Sequence, residues 1–330
     1  MSSGDFIQRL KKEKLLLPPL AGYTDYPYRK LLADFNAPFL CTEMVSSMAI
    51  IRHSPKTLEM LEKPMGQHLH GAQIFGVNPA SMASAASMLE EMGFNYVDIN
   101  MGCSVKRVRS NGAGVSLMGD MGKVSRVASA VVGAVNVPVT CKIRLGESLS
   151  EINVVDFSRM LENSGVAAIT VHGRSGEKKF GEPVNHEAIQ AVVEAVNIPV
   201  VGNGGVFTGD DAVQMMKTGV DAVMPGRGLI GNPWIVPEIK AALSGEQFQE
   251  PSLAERKEIS RKHLGYLVDF LGEKDGVVTM RRILHRYFMG CVHAVDLRKS
   301  TDGLTTVDDV NQLIDKLELV DDHAVFKRSE

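Results

Sequence analysis

Apolar and polar positions alternate along the first 230 residues in two interleaved rhythms. Eight short apolar runs recur, at 15–21, 39–44, 68–74, 96–101, 137–144, 167–172, 198–201 and 221–225. Between them lie amphipathic stretches with helical spacing, at 80–92 (stopped by Gly93), 123–135, 154–164 and 210–218. Strand and helix in regular alternation imply parallel pairing. Eight such units in this length predict a (β/α)8 barrel, of the TIM type. A doubly wound sheet is the alternative, but it places its glycine-rich phosphate loop after the first strand. Here the glycine-rich sequences are late, GNGG at 202–205 and PGRG at 225–228, where barrels hold phosphate.

The texture changes after Gly245. EQFQEPSL reads as a linker, and only helical patterns follow, near 254–271, 277–292 and 306–317. This predicts a barrel domain over 1–245 and a small all-helical domain over 246–330. In the middle helix Met280, Ile283, Leu284, Tyr287 and Phe288 share an apolar face, with Arg281, Arg282, His285 and Arg286 on the other side. The third opens with Thr305 and Thr306 before Asp308 and Asp309, a capping pattern. Residues 256–299 carry ten Lys/Arg against five Asp/Glu, and 300–330 three against eight. A basic helix face of this kind is either simply solvated or a nucleic-acid contact.

Composition narrows the class. The chain has 330 residues, 44% hydrophobic and 23% charged, with net charge -3, so no global basic field points to nucleic acid. The four cysteines, Cys41, Cys103, Cys141 and Cys291, are far apart, which argues against a disulfide framework or a structural zinc site. The N-terminal MSSGDFIQRLKKEK lacks the apolar core of a signal peptide, and no run approaches a membrane span. The expectation is a soluble, cytoplasmic protein with no metal centre and no membrane association.

The candidate chemistry lies at the ends of the predicted strands. The run YVDINMGC ends in Gly102 and a lone thiol, Cys103, where barrels place reactive groups. A free cysteine is also a common small core hydrophobe. Lys142 and Arg144 lie two apart in CKIR and share a strand face, as do Asp98 and Asn100. His172, Glu43 and Gln73 close other runs. Such groups either bond to each other as a polar plug, for example Glu43 with Lys142, or face a ligand. Lysine, glutamine, histidine, asparagine, a thiol and a late phosphate loop together suit flavin mononucleotide (FMN), which needs positive charge near its N1/O2 edge. The stretch Gly226-Arg227-Gly228-Leu229-Ile230-Gly231 matches G-x-G-x-x-G, but no strand with an acidic residue follows. It reads as a phosphate-holding turn and not a dinucleotide fingerprint.

The segments LAGYTD, TEM, QIFG, DINMGC, KRV…GAG, CKIR, TVHGR, GNGGV and PGRGLIGNPWI together resemble the tRNA-dihydrouridine synthases, closest to the B-type bacterial branch and its archaeal relatives. The resemblance covers almost the whole chain. It implies non-covalent FMN, with Pro19, Leu20 and Ala21 along the flavin and Gln73 and Lys142 at its ring edge. His172, Asn203, Gly204, Gly205, Gly226 and Arg227 would surround the phosphate. It implies that NADPH reduces the flavin, that hydride passes to C6 of a tRNA uridine, and that Cys103 protonates C5. An unperturbed thiol, with a pKa of about 8.5, carries that proton at neutral pH. It further implies tRNA as the partner, met by Asn100, Lys106, Arg107, Arg144, Arg281, Arg282 and Arg286, with no obligate protein partner evident. The family usually has proline after the catalytic cysteine; this chain has Ser104, which leaves that loop freer. The alternatives are a dihydroorotate-dehydrogenase-like flavoprotein acting on a small pyrimidine and a non-catalytic RNA-binding barrel.

Overall fold

The computed structural model describes residues 1–148, 150–177, 183–289 and 294–317. Its strands are β1 (Phe39–Cys41), β2 (Val45–Ser46), β3 (Leu69–Phe75), β4 (Tyr96–Met101), β5 (Val139–Arg144), β6 (Ala168–His172), β7 (Val200–Asn203) and β8 (Ala222–Met224). All pair in parallel in the order β1-β3-β4-β5-β6-β7-β8, with β2 continuing along β3 beyond β1. Leu15 bridges Val223 in parallel and brings the N-terminal segment against β8. This is the predicted (β/α)8 barrel.

Three staves differ from the sequence reading. The run at 15–21 is not a strand beyond the Leu15 bridge, because Pro18 and Pro19 have no N–H to give a ladder. The run at 39–44 is split: Thr42 still donates to the Gly71 carbonyl, but Glu43 and Met44 leave the ladder. The run at 198–201 begins later, after Pro199, and extends to Asn203.

Four outer helices lie close to their expected places, at Pro79–Glu91, Met121–Val132, Val154–Asn163 and Gly209–Met216, and three more, Tyr26–Asp34, His186–Ala195 and Ile235–Ser244, form outside the stretches the sequence singled out. Their apolar faces join the barrel's outer surface in one hydrophobic core. The barrel interior is filled in layers. At the lower end Leu16, Phe39, Tyr96, Ala168, Val201, Ala222 and Met224 pack together, and Phe6 and Leu10 of the N-terminal helix Ser3–Glu13 close them from below. Gly71 is required there, since a Cβ would overlap the Tyr96 ring. Above lies a polar layer of Gln73, Asp98 and Thr140, and above that the rim of Asn100, Lys142, His172 and Asn203.

The C-terminal helices Leu253–Leu271 and Val307–Asp315 form as expected, the latter with the Thr306–Asp309 capping box. The expected helix at 277–292 is broken. Helix Glu273–Arg281 ends at Arg282, and a short helix, Leu284–Tyr287, follows through i→i−3 bonds. Packing overrides the helical period here: the short helix docks so closely that a Cβ on Gly231 would clash with Arg286. The rest of that predicted helix, with Cys291, lies outside the described residues. Tyr28 and the His263–Tyr287 pair meet where these helices join the barrel. The Tyr28 hydroxyl donates to the Leu229 carbonyl, its ring stacks 5.0 Å from His263, and the Tyr287 hydroxyl bonds His263 Nδ1 at 2.9 Å.

Candidate active site

The upper strand ends open into a cavity of about 420 Å3. Pro18, Pro19, Leu20, Ala21 and Tyr23 form one wall. Asn100, Gly102, Cys103, Lys142 and Arg144 come from β4 and β5, and His172 with Arg174 from the end of β6. Asn203, Gly204, Gly205, Phe207, Gly226, Arg227 and Arg286 complete the opposite side. Every residue expected at a flavin is therefore in this wall except Gln73. That residue is fully buried beneath Asn100, accepting from Asn100 Nδ2 at 2.7 Å and donating to Asp98 at 2.6 Å. The lower layer is self-bonded as a polar plug, while at the rim the pair that forms is not the suggested Glu43 with Lys142. Lys142 bonds Asn203 Oδ1 at 2.8 Å, while Glu43 accepts from the Gly22 backbone.

Cys103 is half-buried at the cavity edge. Asn100 Oδ1 accepts its backbone N–H at 3.0 Å and that of Gly102 at 3.3 Å, and its carbonyl accepts from Val115 N–H at 3.0 Å. Gly114, at φ 62, passes so close to the Cys103 carbonyl that no side chain fits there. The loop is thus pinned on both sides of the thiol with Ser104 in place.

The cavity is cationic. Burial, reinforced by the Arg144 charge, pulls the Lys142 ammonium down to about 7, although Asp98 beneath opposes this. Burial likewise brings Arg144 to about 10. Burial first, and then the charges of Lys142, Arg144, Arg174 and Arg227, hold His172 well below its ordinary value, so it is neutral at pH 7. Arg144 is fixed by Gly102 O at 2.8 Å and Ser175 O at 2.7 Å. An anion is the natural complement of such a site.

The glycines supply a close-approach surface. Gly204 and Gly205 adopt φ of 110 and 70, and a Cβ on Gly204 would meet His172 at 2.9 Å. A Cβ on Gly226 would meet nothing within 4 Å, so its face is open to the cavity. Backbone can therefore approach a phosphate beside Arg227. Arg227 starts only a three-residue turn, in keeping with the rejection of a dinucleotide fingerprint.

The residues expected to meet tRNA are dispersed. Asn100, Arg144 and Arg286 line the cavity. Lys106 and Arg107 are exposed on the short helix Lys106–Arg109, just past Cys103. Arg282 is exposed over the Gly22 loop, with Nη1 3.5 Å from where a Gly22 Cβ would lie. Arg281 turns inward and donates to the Leu304 carbonyl. Sequence reasoning passed over Tyr23, Phe207 and Arg174. Arg174 was within reach, because it follows His172 by two in TVHGR.

Residues 16–325 match the dihydrouridine synthase family. The chain belongs to that family. It is 35% identical over 311 residues to tRNA-dihydrouridine synthase B of Proteus vulgaris, covering 93% of this chain and 95% of the relative. It is 36% identical over 297 residues to the protein of the same name from Pseudomonas aeruginosa, covering 89% and 90%. Among solved structures, the 6-hydroxypseudooxynicotine amine oxidase of Pseudomonas geniculata is similar at a TM-score of 0.54 and 16% identity, over 70% of this chain and 47% of that one. That likeness concerns the fold alone. Family membership favours a tRNA-directed reductase over the small-pyrimidine and non-catalytic alternatives. Among the described residues no helix is long and apolar enough to cross a membrane, and no cluster of metal-ligating side chains occurs.

Proposed function

We propose that this protein reduces specific uridines of tRNA to 5,6-dihydrouridine with bound FMN and NADPH. The observation that carries the reading is the joining, in one cationic cavity, of a pinned thiol and a glycine–arginine cradle in a chain of this family. The residues present fit FMN. Gly204, Gly205, Gly226 and Arg227 would hold its phosphate, and Lys142 and Asn203 its polar ring edge. Bound flavin would supply the reducing equivalents for the uracil ring.

The chain's own groups do the rest. A target uracil must leave its stack to enter a cavity of this size, at an unstacking cost of a few kcal/mol. Asn100 and Arg144 lie in the cavity wall that would receive it. Cys103 Sγ holds the proton destined for C5. When it gives that proton up, Lys142 and Arg144 lie near enough to stabilise the thiolate electrostatically. Exposed Lys106, Arg107 and Arg282, with Arg286 at the rim, form the surface for tRNA phosphates. Residues 246–330 act as the helical tRNA-binding module.

The test begins with purified protein, which should be yellow and release FMN on heating. Adenine-bearing flavin, or none, refutes the cofactor assignment. With NADPH and tRNA lacking dihydrouridine, mass mapping should show the new base at defined positions. Cys103→Ala should keep its flavin and its oxidation of NADPH while losing ~10²–10⁴ in uridine reduction. Near-full turnover would make Cys103 a packing residue.

A further inference from the structure

Beneath the cavity runs a hydrogen-bonded line that nothing in the reaction itself requires. Thr140 Oγ1 donates to Asp98 Oδ1 at 2.6 Å, and Gln73 Nε2 donates to Asp98 Oδ2 at 2.6 Å. Asn100 Nδ2 donates to Gln73 Oε1 at 2.7 Å. Asn100 Oδ1 then accepts the backbone N–H groups of Gly102 and Cys103. Register enforces the line, since Gln73 and Thr140 both sit directly opposite Asp98 on β3 and β5. Gln73 is 0% exposed, Asp98 6% and Asn100 7%, so solvent does not offer replacement partners.

The direction of the line is set at its two ends. A carboxylate only accepts, and a backbone N–H only donates. The two amides between them can satisfy both ends in one orientation alone. Resting on the proposed reaction, we infer that Asp98 is a positioning residue: through Gln73 it fixes the amide orientation of Asn100, and so the loop that aims the Cys103 thiol. Asp98 makes no ion pair among the described residues, and its charge is not what the line needs. Burial in fact raises its pKa, against the effects of its two hydrogen bonds and of Lys142. The line needs an acceptor facing Gln73.

This makes a prediction that volume or general stability does not. In Asp98→Asn the new amide can turn its oxygen to Gln73 and its nitrogen to the Thr140 hydroxyl, which accepts as readily as it donates. In Thr140→Val the carboxylate still faces Gln73. In the double variant the nitrogen of the introduced amide has no acceptor while its oxygen faces Gln73, so satisfying it competes with the bond to Gln73. The hold of that bond on Asn100, and through it on the two backbone donors at the thiol, is weakened. The effects should therefore be strongly non-additive.

The experiment uses the full chain as purified. Alkylation of Cys103 by iodoacetamide, followed by mass mapping of its peptide, reads the loop without reference to activity. Turnover and KM on tRNA and flavin content are measured beside it. The double variant should be alkylated at least threefold faster than the product of the single-variant effects predicts. Its kcat should fall at least tenfold below the corresponding product, with flavin content little moved. Asp98→Leu should resemble the double variant, and Asp98→Asn should rescue it. Additive effects in both readouts, or alkylation that tracks global unfolding, overturn the assignment. If the protein does not reduce tRNA at all, the alkylation cycle still decides the positioning role by itself.

Discussion

At the residue scale, Lys142 carries the most testable consequence. In protein freed of flavin its folded-state value is about 7, against 10.5 for the exposed group. Between those values the unfolded chain holds a proton that the folded chain has lost, so this residue makes stability rise with pH across the window. Lys142→Met removes that contribution. The melting temperature of the wild type minus that of the variant should become more positive from pH 7 to pH 9. A difference flat with pH would mean the ammonium is solvated. The position of Lys142 was legible two residues before Arg144 in CKIR, because strand alternation puts both on one face. Its partner was not. Asn203 comes 61 residues later, and only barrel closure brings the two together. Gln73 lies deeper than its place at the end of a run suggests for a related reason: alternation tells which face a residue takes but not how deep in the barrel it lies.

At the element scale, four outer helices and most of the strands from β4 to β8 were readable because their periods are clean, whereas the helices Tyr26–Asp34, His186–Ala195 and Ile235–Ser244 were not. The first stave departs from its apolar pattern because Pro18 and Pro19 forbid a ladder beyond the Leu15 bridge. The N-terminal helix Ser3–Glu13 escaped because only Phe6 and Leu10 of its eleven residues are buried. Its signals were nonetheless present, an i,i+4 apolar pair behind the Ser2–Asp5 capping box. Phe6 packs 5.5 Å from the Phe39 ring and 5.2 Å from that of Tyr96, and it is wholly buried. The helix therefore works as the floor of the barrel. Phe6→Ala should lower unfolding free energy by ~3–5 kcal/mol in denaturant titrations, the range for a large core truncation. A loss below ~1 kcal/mol would show that the barrel closes without it.

At the scale of the whole molecule, the question is how a small cavity acts on a folded tRNA. The two parts of the chain form one continuous core, stitched by Tyr266 to Asp34 at 2.9 Å and by Lys262 to Asp34 at 2.8 Å. Their relative placement is thus part of the substrate surface. Charge counting singled out three arginines in the C-terminal part, but the break after Arg281 gives them three different surroundings. Arg282 is exposed above the Gly22 loop, Arg286 stands in the cavity wall, and Arg281 holds the Leu304 carbonyl. Each should answer differently. Arg282→Ala should weaken tRNA binding and reduce its log–log salt slope by about one unit, with flavin and melting temperature unaffected. Lys106→Ala with Arg107→Ala should do the same by about two units. Arg281→Ala should lower the melting temperature and leave the slope alone, because its charge is spent inside the fold. Filter-binding titrations from low to moderate salt separate these cases. An unchanged slope in the Arg282 and Lys106/Arg107 variants would put the tRNA on a different face of the molecule.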